Sequence, residues 1–224
     1  MPSRSKKNPL VFLTGFALYF GALWFLWNTP VVYPLKLFVI FLHEISHGIA
    51  AVATGGSIQE ITINPRLGGA CYCPGGNAFL TLSAGYLGSL VWGGVILEAG
   101  WRARSRVHLV VRIAGAMMLL LTLLFVRGIF GFVFGAAFGI ALILTARHLS
   151  LPTNRRVLEV LGLTSCLYAV LDIKSDVLDR PELPSDAAML GELTGVPTLV
   201  WGALWITMAL GISAWLFRRA YRHY

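Results

Sequence analysis

Long apolar runs, separated by short polar or basic segments, make up most of the chain. At 1.5 Å per helical residue, runs of about 20 residues cross the roughly 30 Å hydrocarbon core of a bilayer. The pattern therefore predicts about six to seven transmembrane helices, and the candidate runs are 10–27, 31–54, 78–97, 107–125, 129–145, 157–171 and 198–216.

One segment departs from this pattern directly after the second run. Thr54-Gly55-Gly56 is typical of a helix end, and residues 57–64 then alternate between apolar and polar with the period of a strand. A turn over 65–69 would let residues 70–73 return as a second strand. The predicted fold class is an all-α multi-pass membrane protein with a small β-hairpin after the second helix; a plain loop is the alternative.

Composition supports a membrane protein. Apolar residues make up 57% of the 224 residues and charged residues 12%, whereas ordinary soluble chains carry about 25% charged residues. We expect one membrane-embedded domain over residues 1–224, integral to the cell membrane and in contact with its lipid bilayer. The net charge of +8 lies mostly at the ends of apolar runs, as in anchoring loops, and the basic residues form no aromatic-interleaved stripe, which argues against nucleic-acid binding.

Three cysteines are too few for a disulfide framework. Cys71 and Cys73 are separated by one residue, which is tighter than the two to four intervening residues of a typical structural zinc pair. We therefore predict that Cys71, Cys73 and Cys166 are packing residues.

The second apolar run contains the sequence His-Glu-x-x-His at 43–47. Helical positions i and i+4 share one face about 6 Å apart along the axis, so His43 and His47 can direct two imidazoles at one metal ion. Glu44 lies beside that face, where it can act as general base toward the attacking water. Ionisable groups inside a membrane span are costly and call for a partner or a function, and a metal accounts for all three; a satisfied structural cluster is the alternative.

A catalytic zinc usually has three protein ligands and one open position. Asp172 ends an apolar run and is the best-placed carboxylate for the third ligand, with Asp176, one helical turn later, as the reserve. Alternatively, these acids are solvated or cap the next segment. Ser185-Asp186 is predicted to cap a short helix that extends through Glu192 and stops at Gly195.

These segments together resemble the site-2-protease family of intramembrane zinc metallopeptidases, closest to the compact group without appended soluble domains. The matching sequences are His-Glu-Ile-Ser-His-Gly at 43–48, Thr-Gly-Gly at 54–56 leading into Ile-Thr-Ile at 61–63, Ala-Gly-Tyr-Leu-Gly-Ser at 84–89, the segment 165–173, and Ser-Asp-Ala at 185–187. They cover most of residues 40–200.

The resemblance implies hydrolysis of peptide bonds in or near the transmembrane segment of a membrane protein or peptide substrate. It implies Zn²⁺ held by His43, His47 and Asp172, with Glu44 activating the water. The segment 55–63 would present the substrate, through Gly55, Gly56, Ile58, Glu60 and Thr62. It also leaves room for a regulatory membrane partner.

Two other classes of function remain open. A catalytically silent scaffold or regulator of the same fold could retain a structural metal, although it would not need Glu44. A metal or small-solute carrier would place intramembrane acids on several helices, whereas here they cluster on two segments.

Overall fold

The fold is described from a computed structural model, over residues 9–179 and 185–223. Within these residues the chain is mostly helical, as predicted, and consecutive helices follow the apolar runs closely. Their bounds are α1 Pro9–Leu26, α2 Tyr33–Ala53, α3 Ala78–Ala103, α4 Val107–Phe125, α5 Ile129–His148, α6 Leu151–Lys174, α7 Asp186–Thr194 and α8 Thr198–His223.

Four helical segments of the described chain are long and apolar enough to cross a membrane: Tyr33–Ala53, Ala78–Phe125, Ile129–His148 and Thr198–Arg219. The second is 48 residues long and contains both α3 and α4. A single helix of that length would extend about 72 Å, more than twice the ~30 Å hydrocarbon core; the chain instead breaks at Arg104, where φ is 44°. The multi-pass architecture is confirmed, with a span count near the predicted six to seven.

The predicted β-hairpin is present and is joined by a third strand. β1 (Glu60–Ile63) pairs antiparallel with β2 (Gly69–Tyr72). A two-residue strand, β3 (Val126–Arg127), pairs parallel with β1, so the order is β2-β1-β3. The third strand was not predicted. It places β1 in the centre of the sheet and leaves β2 at an edge.

Helix α2 lies in the middle of the molecule. In its most apolar stretch 72% of the residues are buried, against 22–28% in the other candidate spans. Glycines of α3 let that helix approach α2 closely: a Cβ at Gly85 would clash with His43, and one at Gly88 would clash with Ser46. Small residues on a membrane helix allow such close packing. A functional group on α2 is therefore enclosed by protein rather than by lipid.

The structure corrects the interpretation of two cysteines. Cys71 and Cys73 are joined as a disulfide, with Cα atoms 5.6 Å apart. Alternate residues of an extended strand project to the same face. A separation of one residue therefore brings the two sulfurs together, although it is too short for a typical zinc pair. Cys166 is free and buried, as predicted for a packing residue.

Candidate metal centre

Two histidines project from one face of α2 into the interior. The ring centroids of His43 and His47 are 4.8 Å apart, as the four-residue helical spacing requires. His47 is 7% exposed and the adjacent Glu44 is 6% exposed. Burial of two ionisable side chains beside the largely covered His43 implies that the three interact with one another or with a shared ligand.

A carboxylate from a distant part of the chain completes this cluster. Asp186 Oδ2 lies 3.0 Å from His43 Nε2 and 3.2 Å from His47 Nε2. Asp186 is the first residue of α7, and Ser185 caps that helix by accepting a hydrogen bond from the Ala188 N–H at 3.2 Å. One ligand atom from each of His43, His47 and Asp186 lies within 4.8 Å of the others, so the three could hold a metal ion.

Asp172, the carboxylate chosen from the sequence, lies on the other side of the His43 ring. Its Oδ2 is 3.7 Å from His43 Nδ1, whereas Asp186 faces His43 Nε2. The reserve candidate, Asp176, accepts a hydrogen bond from the Tyr86 hydroxyl at 2.7 Å. The structure thus brings all three acids to the same cavity, but only Asp186 lies between the two histidines.

One hydrogen bond of His47 shows which of its two ring nitrogens has a free lone pair. Its Nδ1 lies 2.7 Å from the carbonyl oxygen of Thr81. A carbonyl oxygen can only accept, so Nδ1 carries the proton and neutral His47 has an unprotonated Nε2. That nitrogen faces Asp186. A ligating histidine whose other nitrogen donates to a backbone carbonyl is the usual arrangement at metal sites.

The two histidines also govern the charge of Asp186. Burial by itself would raise the pKa of the Asp186 carboxyl, but when the imidazoles are protonated, the charge of His47 and the hydrogen bonds from both rings outweigh it and hold the pKa below its ordinary value. The protonated rings thus keep Asp186 anionic, and a bound metal would take the place of those protons.

Glu44 faces the edge strand of the hairpin. The backbone N–H of Cys71 is directed toward the Glu44 carboxylate. Gly69, two residues earlier on β2, comes so close that a Cβ there would clash with the Glu44 carboxylate. The position of the carboxylate is thus determined by β2.

A cavity of about 850 Å³ opens over these groups, between α2, the hairpin, α3, α6 and α7. Its polar lining includes both histidines, four acids and one arginine: His43, Glu44, His47, Arg66, Asp172, Asp176 and Asp186. A cavity of this volume has room for a peptide segment and water beside the cluster.

The residues expected to present substrate lie elsewhere. Glu60 and Thr62 belong to β1, which is paired on both sides. The Ile58 side chain packs against Gly48 of α2, and Gly56 packs against the backbone of Gly75. Gly55 has φ +93° at the end of α2. None of these five described residues lines the cavity.

Asp186 is the site residue that sequence reasoning missed. Its local pattern, Ser-Asp before a short apolar helix, predicts a capping role, and that role is also observed for Ser185. The available signal was the match of Ser185-Asp186-Ala187 to the resembled family, which gave no role to the aspartate.

The comparison with known proteins identifies one family. Residues 16–216 match the model of a family described as Peptidase M50B-like. No curated protein and no solved structure matches the chain.

Proposed function

The chain belongs to the Peptidase M50B-like family, of the site-2-protease type, and on that premise we propose that it is an intramembrane zinc metalloendopeptidase. It would hydrolyse peptide bonds in or near the transmembrane segment of a membrane protein substrate. One observation carries the proposal: two imidazoles and a carboxylate converge within 4.8 Å of one another, beside a buried glutamate on the same helix as the imidazoles.

The residues present fit zinc. His43, His47 and Asp186 offer two imidazole nitrogens and one carboxylate oxygen, a set that zinc accepts while a fourth position stays open. The protonated Nδ1 of His47 leaves its Nε2 available. Zn²⁺ bound there would lower the pKa of water and polarise a carbonyl as a Lewis acid.

Glu44 is proposed as the general base. Its carboxylate, which faces the Cys71 N–H, would take a proton from the attacking water and deliver it to the leaving amine. One residue beside the substrate must therefore both accept a proton from the water and donate it to the amine. A pure scaffold would have no need for this residue.

Asp172 is proposed as a positioning residue rather than as the third ligand. Its carboxylate lies 3.7 Å from His43 Nδ1, where it orients the ring and favours a proton on Nδ1. His43 would then present its Nε2 lone pair toward Asp186. Carboxylates that hold a ligating histidine from behind in this way are common at zinc sites.

The substrate is proposed to pair with β2 rather than with β1. An extended peptide can add to a free strand edge, but β1 has β2 on one side and β3 on the other. The Cys71 N–H points away from β1 to Glu44, so the free edge of β2 runs along the cavity. A peptide on this edge would pass directly beside the general base. The backbone of the substrate peptide must be unwound beside β2. At membrane depth an unwound backbone is tolerated only in a cavity lined by protein or filled with water.

The test compares Glu44→Gln with the matched control Glu60→Gln, which alters an exposed glutamate on β1. Both variants and the wild-type chain are reconstituted in liposomes with a set of single-span peptides, and products are read by mass spectrometry. We expect Glu44→Gln to retain zinc and lose cleavage, while Glu60→Gln cleaves as the wild type does. Cleavage by Glu44→Gln at the wild-type rate would refute the mechanism, and zinc without cleavage in every variant would favour the silent scaffold.

A further inference from the structure

A second cavity lies away from the metal centre, in a cleft between α1, α3, α6 and α8. Its volume is about 510 Å³. Most of its wall is apolar, formed by side chains that include Phe20, Leu97, Leu163, Leu167, Leu210 and Leu216. It shares no lining residue with the cavity over the metal centre, so a peptide bound in it would not reach Glu44.

The cleft follows α6 over several turns, and α1 forms one side of it. Along α6 its lining runs from Arg156 to Val170, which is about 21 Å of helix, against about 15 Å for one leaflet of hydrocarbon. The Tyr19 hydroxyl bonds Thr164 at 2.7 Å and the Val160 carbonyl at 3.2 Å. This contact ties α1 to α6 while leaving the space beside it open. An extended acyl chain has the length and polarity to occupy that space.

One end of the cleft is polar. Arg156 and Glu159 line it there, together with Trp101. Tryptophan and arginine near the end of a membrane helix are typical of the headgroup level. The other end, toward Val170, has no charged lining residue among those the structure describes. The cleft therefore has the amphipathic profile of a single lipid.

The charge around the polar end is strongly positive. Basic residues cluster at the ends of the three helices that meet there, α3, α6 and α8, and form what we call the basic rim: Arg102, Arg104, Arg155, Arg156, Arg218 and Arg219. Contacts link four of its members: Glu98 of α3 pairs with Arg102 of its own helix and with Arg219 of α8, and an Arg155 N–H donates to the Arg104 carbonyl at 3.5 Å. Glu98 and Glu159 are the only acids of α3 and of the first half of α6. A net-positive mouth complements a negative headgroup.

We propose that this cleft binds one anionic phospholipid, with an acyl chain along α6 and the phosphate at the Arg156 end. Basic pockets between transmembrane helices favour such lipids. A zwitterionic lipid would fill the apolar part equally well but would gain less from the basic rim. The proposal concerns a lipid site and is independent of catalysis at the metal centre.

The test is retention of added lipid by the purified full-length chain in native mass spectrometry. The probes are phosphatidylglycerol and phosphatidylcholine with identical acyl chains. We expect one phosphatidylglycerol to be retained per chain, at least about five-fold more strongly than phosphatidylcholine, because one basic side chain at an anionic surface contributes about that factor. Equal retention of the two lipids would overturn the proposal.

Two neighbouring arginines supply a matched pair of variants. Arg156 lines the cleft, whereas Arg155 does not, and the change to glutamine removes the same charge from each. Arg156→Gln should reduce the preference for phosphatidylglycerol about five-fold, and Arg155→Gln should lower it by less than two-fold. An equal loss in both variants would indicate diffuse surface charge and contradict a built site.

Leu167→Trp tests the apolar part by filling it. It should reduce retention of both lipids at least five-fold, with its melting temperature measured to show that the chain is folded. Unchanged retention would place the lipid outside the cleft and overturn the proposal. Displacement of phosphatidylglycerol by an equimolar amount of a single-span peptide would also overturn the proposal, because the cleft would then be a peptide site.

Discussion

Replacement of Asp186 by alanine is expected to empty the metal centre, whereas replacement of Asp172 is expected only to weaken it. Asp186 Oδ2 lies 3.0 and 3.2 Å from the two histidine Nε2 atoms. Asp172 reaches only the opposite nitrogen of His43, at 3.7 Å. The first residue would therefore contact the metal directly, and the second would act through a histidine.

The two losses can be estimated. Structural zinc sites bind with about 10–16 kcal/mol at pH 7, so one ligand of three accounts for about 3–5 kcal/mol, a roughly 150- to 5,000-fold loss of affinity. A residue that orients a ligand typically contributes 10- to 100-fold. Asp186→Ala should thus bind zinc more weakly than Asp172→Ala, by about 30-fold at the middle of the two ranges.

The assay is a competition titration of zinc against a chelator, with total metal measured by mass spectrometry on the detergent-purified chain. Asp179→Ala is the control, because that exposed carboxylate pairs only with Lys174 in the described contacts. Asp186→Asn, which preserves the shape of the side chain at the start of α7, separates loss of a ligand from loss of the helix. If Asp172→Ala loses zinc completely and Asp186→Ala retains it, Asp172 is the third ligand and the present assignment is wrong.

Two glycines give further predictions. Gly85→Ala should lower zinc affinity at least ten-fold and destabilise the chain by about 1–3 kcal/mol, because its Cβ would enter the space of His43. Chelator titration and thermal melting measure the two effects. The control Gly21→Ala, in open space within α1, should leave zinc affinity unchanged and raise stability by up to about 1 kcal/mol through helix propensity. Gly69→Ala should keep zinc but slow peptide cleavage about 100-fold, since it displaces the flexible end of Glu44 and misplacement of a catalytic group by about 1 Å costs that much. A wild-type rate in Gly69→Ala would show that β2 does not position the base.

The helices and the first part of the site could be predicted because their signals are local. The apolar run 31–54 contains α2, and the four-residue spacing places His43 and His47 on one face. Asp186 lies 143 residues from His43, and its pattern is that of any residue after a helix cap. Its place beside the histidines depends on how α7 packs, which no local pattern encodes.

The edge of the sheet that faces the cavity could not be chosen from the sequence, for a related reason. Alternation over residues 57–64 correctly predicts a strand and its hairpin partner, but not which edge stays free. That depends on β3, two residues after α4 that have no strand pattern of their own. The Cys71–Cys73 pairing was missed because rules for cysteine spacing concern frameworks and metal pairs rather than a single disulfide between alternate residues at the end of a strand.

X-ray absorption at the zinc edge of the purified wild-type chain tests the metal centre most directly. We expect about one zinc per chain, with nitrogen and oxygen neighbours at about 2.0–2.2 Å and no sulfur, and loss of this spectrum in Asp186→Ala. A zinc–sulfur distance of about 2.3 Å would move the metal to cysteine, and a wild-type chain that binds no zinc would contradict the account.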